Sequence, residues 1–138
     1  MPRLFLSLAI ALVLAAASTA SAVAAPKDDG FAATLVKFRA AVAAKDKNAV
    51  ADLTDFGAFF WDSDDALRNV KTRVDFLKNY DRMFTAEIRH RVATVAPDCD
   101  KSGSHHLHWV ADGMQYDLYF PPRQDGTWLL QGLSASPY

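Results

Sequence analysis

The stretch from His105 to Phe120 constrains the fold most, because it predicts a β-hairpin whose register follows from its turn. Asp112-Gly113 is a preferred pair for a two-residue turn, since both central residues need a positive φ and these residue types tolerate it. A turn at this pair places Trp109 opposite Tyr116. Side chains alternate across a strand, so every other pairing and both faces of the hairpin follow from that one assignment.

The two predicted faces differ in polarity. The first is apolar enough to lie on a core and carries His105, Leu107, Trp109, Ala111, Met114, Tyr116, Leu118 and Phe120. The second is polar and carries His106, His108, Val110, Gln115, Asp117 and Tyr119. We therefore predict an inner face and a solvated outer face, with His108 paired to Asp117 across the strands.

Three histidines close together in sequence favour a metal site, because neutral imidazole is a common metal ligand. The predicted register separates them, since His105 lies on the opposite face from His106 and His108. We therefore expect no metal site that uses all three. A pair formed by His106 and His108, with Asp117 as a carboxylate ligand, is the alternative.

Residues 1–24 are interpreted as a secretory signal peptide that is removed. Arg3 supplies a positive start, residues 4–17 are apolar, and residues 18–25 are small, with two small-x-small cleavage patterns. The apolar run is too short to favour a permanent membrane anchor. We expect a domain over residues 25–138 that is exported to a bacterial periplasm or secreted and has no membrane anchor after cleavage.

Four helices are predicted ahead of the hairpin from helical spacing of apolar residues and from capping residues. One spans about 30–44, and Asp46 can cap a short second helix that runs through Leu53. Thr72-x-x-Asp75 resembles a capping box that opens a third helix through Phe84, and Thr85 can cap a fourth. Residues 56–61 are predicted as a loop or short strand, 96–104 as a loop, and 127–134 as a third strand.

Charge and cysteine content limit the partners. The formal net charge is −1 and becomes more negative when Arg3 is removed, so nucleic acid is not an expected partner. Cys99 is the only cysteine and cannot form an intramolecular disulfide. We expect no cofactor.

Several aromatic motifs carry a family resemblance. They are Phe38-Arg39-x-Ala41-Val42, Asp52-Leu53-Thr54-x-Phe56, Phe76-Leu77-x-x-Tyr80-Asp81-x-x-Phe84 and the terminal Gly126-Thr127-Trp128-Leu129-Leu130. With the order of elements, they resemble the nuclear transport factor 2-like superfamily, and in particular its small exported bacterial members of unknown function. The resemblance implies an α+β fold in which a cone-like, curved antiparallel sheet packs against N-terminal helices and leaves a pocket.

This pocket is the basis of the functional predictions. Its predicted lining is His105, Trp109, Tyr116, Met114, Phe38 and Tyr80. We interpret the protein as a non-catalytic domain that binds a small apolar or aromatic ligand or has an accessory role. The resemblance also implies that the protein forms a homodimer through its sheet. The alternative is a proton-transfer enzyme, similar to isomerases or dehydratases, with His105 as base and Tyr80 and Tyr116 as donors.

Overall fold

The structure, a computed structural model, describes residues 28–63, 66–68 and 70–138. Its helices are α1 (Phe31–Ala43), α2 (Lys47–Asp52), α3 (Arg73–Met83) and α4 (Ala86–Thr94). Its strands are β1 (Phe60–Ser63), β2 (Ala66–Arg68), β3 (Asp98–Cys99), β4 (His105–Ala111), β5 (Met114–Phe120) and β6 (Gly132–Pro137). The predicted α+β class is confirmed. The predicted signal peptide lies outside the described residues, within which no helix is long and apolar enough to cross a membrane.

All four predicted helices are present, and three of them begin at the predicted capping residues. Asp46, Thr72 and Thr85 each accept a hydrogen bond from the backbone amide three residues later. Such a cap satisfies an amide that has no partner inside the helix. The first helix is capped differently, because Gly30 precedes it with a φ of 83° and offers no side chain.

The predicted hairpin is confirmed in every pairing, from His105 opposite Phe120 to Ala111 opposite Met114. Asp112 and Gly113 form the turn with φ values of 52° and 73°. The predicted inner face lies on the core, since Leu107, Trp109, Leu118 and Phe120 are buried.

The sheet has the strand order β2-β1-β6-β5-β4-β3. The sheet is antiparallel as predicted except at one pairing, because β1 and β6 run parallel. These strands lie far apart in sequence, so no local pattern specifies their relative direction. The loop predicted at 96–104 also contains the two-residue strand β3, which pairs with the start of β4.

The third predicted strand begins later than expected, at Gly132 rather than near Thr127. Leu130 pairs instead with the connection after α2, where its amide donates to the carbonyl of Leu53 at 2.8 Å and its carbonyl accepts from the amide of Asp55 at 2.9 Å. This separate contact removes the residues before Gly132 from the regular ladder.

Aromatic rings fill the space between the helices and the inner face of the sheet. Phe38 contacts Phe120 edge to face at a centroid distance of 5.3 Å, and Tyr80 stacks on Phe84 at 4.9 Å. These four side chains are fully buried. The interior is therefore packed at the positions where the sequence predicted that Phe38 and Tyr80 line a pocket.

Candidate functional site

A cavity of about 290 Å³ lies between the inner face of the sheet and the junction of α3 with α4. We call it the inner cavity. Its main walls are Trp61 on β1, Arg82 and Met83 at the end of α3, Met114 and Tyr116 on β5, and Leu133 on β6. The cavity adjoins the end of the sheet where the hairpin turns, and the strand pairings bring β1, β6 and β5 side by side there.

Two charged side chains line the inner cavity, Arg82 at the end of α3 and Asp62 on β1. The guanidinium carbon of Arg82 lies 5.4 Å from the centre of the Trp61 ring, and that of Arg68 lies 5.2 Å from it. A cation over an indole face is attracted by the ring quadrupole. The side-chain hydrogen bond of Arg82, to Asn79 Oδ1, is long at 3.5 Å, and the ion pairs among the described residues involve other cations.

Tyr116 lies between the inner cavity and the buried indole of Trp109. Its ring stacks on Trp109 with a centroid distance of 5.1 Å and an interplanar angle of 9°. Trp109 is 6% exposed, and its indole nitrogen has no hydrogen-bond partner among the described residues. Burying such a donor without a partner costs about 1–3 kcal/mol.

The structure distributes the six predicted pocket residues over three places. Met114 and Tyr116 line the inner cavity, and Trp109 packs behind it. Phe38 and Tyr80 lie in the core, and His105 lies at the opposite end of β4. Their roles as ligand contacts stay predictions.

Sequence reasoning missed most of the cavity wall. Trp61 belongs to the aromatic run at 56–61, which is a usable signal for packing but not for a cavity. Arg82 gave no signal, since a basic residue in the last turn of an amphipathic helix is expected to face solvent, and Arg82 is exposed even though it lines the cavity. Both residues become recognisable only when α3 is placed against β1.

His105 is held by neighbours of its own chain. Its ring stacks on Phe31 at a centroid distance of 3.9 Å, and its Nε2 lies 2.7 Å from Asp29 Oδ2. That hydrogen bond lowers the pKa of Asp29. His105 is level with Phe120, four positions along β5 from Tyr116 and therefore about 14 Å away, so the predicted proton-transfer set does not meet in one site.

On the outer face, His108 lies opposite Asp117 as predicted, but the Asp117 carboxylate is bonded to His106 rather than to His108. Nδ1 of His106 lies 3.0 Å from both carboxylate oxygens of Asp117, and Nε2 lies 3.1 Å from Asp100 Oδ2. The imidazole reaches the diagonal neighbour on β5, a contact that strand geometry allows. The two carboxylates lie on opposite sides of the ring, and no group of three metal-binding side chains occurs in the described part of the chain.

The fold and the inner cavity together define a small α+β domain with a partly apolar cavity against its sheet. No family model and no curated protein matches the chain. It is similar in fold to an NTF-2 like protein of unknown function from Shewanella oneidensis MR-1, with 16% identity, a TM-score of 0.47, and coverage of 81% of this chain and 99% of that one. NTF-2 abbreviates nuclear transport factor 2, the superfamily that the sequence motifs resemble.

Two further solved structures are similar to the chain. One is a proposed calcium/calmodulin dependent protein kinase II association domain from Xanthomonas campestris, with 16% identity, a TM-score of 0.44, and coverage of 79% of this chain and 86% of that one. The other is a proposed ketosteroid isomerase from Shewanella frigidimarina, with 12% identity, a TM-score of 0.40, and coverage of 75% of this chain and 92% of that one.

Proposed function

We propose that the protein is a small-ligand-binding domain whose inner cavity takes a flat aromatic molecule with an acidic group. The observation that carries this proposal is the position of Arg82, a cation without an ion pair among the described residues, across the Trp61 ring at the wall of the cavity. An aromatic body fits between Trp61, Met83, Met114 and Tyr116. A carboxylate would neutralise the guanidinium.

The size of the cavity limits the ligand. Its volume of about 290 Å³ lies near the lower end of the range of about 300–1,000 Å³ that is usual for small-molecule pockets. A single ring with a short acidic substituent is the matching size. Methionine side chains adapt to such rings, because the thioether is flexible and makes favourable contacts with aromatic edges.

Binding is favoured over catalysis for a positional reason. Proton transfer needs a base within hydrogen-bond reach of the reacting atom. The base predicted from the sequence, His105, lies outside the inner cavity and is bonded to Asp29. We therefore keep the non-catalytic role as the proposal and do not extend it to an isomerase or dehydratase activity.

The proposal is tested by thermal unfolding in the presence of benzoate and phenylacetate, with benzyl alcohol and benzylamine as uncharged and cationic controls. We expect the two carboxylates to raise the melting temperature, since a ligand at 100 times its Kd adds about 2.7 kcal/mol to stability. Tryptophan fluorescence, to which Trp61 contributes, should report the same binding. Equal shifts with all four compounds, or none with any, would count against the proposal.

A matched pair of variants isolates the charge. Arg82→Gln should weaken carboxylate binding. Lys78→Gln should leave it unchanged, because Lys78 is an exposed cation of the same helix that does not line the cavity. Equal binding by the wild type and by Arg82→Gln would assign the ligand to another site.

We also propose that this domain is exported, on the basis of the signal-like pattern of residues 1–24. Expression of the full chain in a bacterium, followed by fractionation and mass spectrometry of the purified protein, tests this. An amino terminus at residue 23 or 25 in the periplasmic fraction is the expected result. An uncleaved chain in the cytoplasm would contradict it.

Homodimer formation through the outer face of the sheet is likewise a proposal. Val110 is a large apolar side chain exposed on this face, with 47% of its surface accessible. Light scattering at two concentrations should give the mass of a dimer, and Val110→Glu should lower it to that of a monomer. A monomeric wild-type protein at both concentrations would rule this interface out.

A further inference from the structure

We infer that the protein has a second ligand site, separate from the inner cavity, which binds an aliphatic carboxylate along α1. The site is a cavity of about 600 Å³ between α1 and the chain around Pro97 and Cys99, which we call the edge groove. It lies beside β3, the edge strand of the sheet. Its volume is in the middle of the range of about 300–1,000 Å³ for small-molecule pockets.

The walls of the edge groove are apolar and open to solvent. Ala32, Leu35 and Val36 lie on one face of α1, because residues three and four apart are neighbours on a helix. Val36 is 69% exposed, and Pro97 on the opposite wall is exposed as well. An aliphatic chain that lies along this face removes apolar surface from water, which favours binding.

Arg39 supplies a fixed cation within the groove. Its Nε donates to the carbonyl of Val92 at 2.8 Å, and its Nη2 donates to the carbonyl of Val95. These carbonyls hold the guanidinium in place but do not neutralise it, and the ion pairs among the described residues involve other cations. A positively charged group that is already ordered binds a carboxylate with little further loss of entropy.

At the end of the groove away from Arg39, the apolar end of the ligand is favoured over its carboxylate. It is formed by Asp28, Asp29 and the stacked rings of Phe31 and His105. Phe31 and Arg39 are eight positions apart on the helix, which corresponds to about 12 Å. A carboxylate is repelled by the two aspartates and attracted by Arg39, so the acid group lies at Arg39 and the chain points towards Phe31.

The test uses decanoate below its micelle concentration, with decanol and decylamine as controls, and isothermal titration as the readout. We expect decanoate to bind more tightly than the alcohol and the amine. Val36→Glu places a carboxylate on the groove wall and should weaken decanoate binding about tenfold or more through like-charge repulsion. Val74→Glu is the matched control, since Val74 is 74% exposed and lies on α3 outside the groove.

Three results would overturn the inference: no binding of decanoate to the wild type, tighter binding of decylamine, or equal loss in the two valine variants. A second variant, Ala32→Trp, fills the groove from an exposed position and should abolish binding without a change in charge. Benzoate binding by Val36→Glu tests the inner cavity alone, because Val36 lines only the edge groove. A negative result for one site is therefore distinguishable from a negative result for the other.

Discussion

At the residue scale, His106 is the side chain whose charge the structure defines most closely. Both of its ring nitrogens face carboxylate oxygens at 3.0–3.1 Å, and carboxylates only accept, so both nitrogens must carry a proton. Burial lowers the pKa of His106, but the hydrogen bonds that its ring donates to Asp100 and Asp117 outweigh burial and raise the pKa above its ordinary value. The folded protein therefore holds an imidazolium that ties β4 to β5 and to the turn before it.

This charge makes stability depend on pH. The folded pKa of His106 is higher than the unfolded one, so its contribution is fully present below about pH 6.5 and is lost as pH rises through the folded value. The difference in unfolding free energy between the wild type and His106→Gln should shrink by about 1–2 kcal/mol over that rise. Urea unfolding from pH 5 to pH 9 measures it.

His108→Gln is the control for the pH experiment, because His108 is exposed on the same face and makes no hydrogen bond to another described side chain. We expect its unfolding free energy to differ little from that of the wild type, because the substitution breaks no such bond. Ser102 and His106 hold the pKa of Asp100 well below 3.8, so the contribution of Asp100 is lost only at lower pH than the experiment covers. A difference for His106→Gln that is constant or grows with pH would refute the assignment.

Tyr80 gives a second prediction at this scale. The residue is fully buried, its hydroxyl has no hydrogen-bond partner among the described residues, and burial raises its pKa. Tyr80→Phe keeps the ring packing and removes the unsatisfied hydroxyl. The free energy of unfolding should stay equal or rise, by up to about 3 kcal/mol.

Chemical unfolding of Tyr80→Phe beside Tyr138→Phe checks this, because Tyr138 is 87% exposed and its hydroxyl is solvated. A loss of more than about 1 kcal/mol in Tyr80→Phe alone would mean that the buried hydroxyl has a partner.

At the scale of elements, β6 depends on a glycine in a central strand. The ring of Phe60 on β1 lies over Gly132, so closely that a Cβ at position 132 would be 2.1 Å from the ring. Tyr119 on β5 lies on the other side, with its ring centre 6.5 Å from that of Phe60. A strand glycine usually weakens pairing. Here the ring of Phe60 covers the backbone of Gly132.

Gly132→Ala should therefore destabilise the protein by about 1–3 kcal/mol, the usual effect of overpacking. The loss should become smaller in a Phe60→Ala background, because the ring that clashes is absent. Ser134→Ala, two residues further along β6, is the control and should have little effect. A double-mutant cycle in urea measures the coupling, and additive losses would show that the ring does not cause the effect.

At the scale of the whole molecule, one cluster of buried side chains joins the helices to the inner face of the sheet. Separate cores would allow separate unfolding, whereas a shared core favours a single cooperative transition. The three tryptophans report different places in this cluster, since Trp61 lies on β1, Trp109 on β4, and Trp128 before β6.

Unfolding followed by tryptophan fluorescence and by circular dichroism should accordingly give coincident curves. This result would support the prediction of a single domain over residues 25–138. Transitions with different midpoints would contradict it, and single-tryptophan variants would then identify the part that unfolds first.

The sequence by itself determined the features that depend on near neighbours. The Asp112-Gly113 turn specifies the hairpin register, and side-chain alternation then separates His105 from His106 and His108. Three helix caps act over three residues and were equally readable. In each case the deciding hydrogen bond or backbone conformation involves residues that are close in the chain.

Only the tertiary structure decided the parallel pairing of β1 with β6, the late start of β6 and both proposed sites. Arg82 meets Trp61 across 21 positions of sequence, and Arg39 is fixed by carbonyls more than 50 positions away. The free energy of such contacts depends on how whole elements pack, and local patterns do not encode it. The hairpin was therefore predictable in detail, whereas the cavities beside it were not.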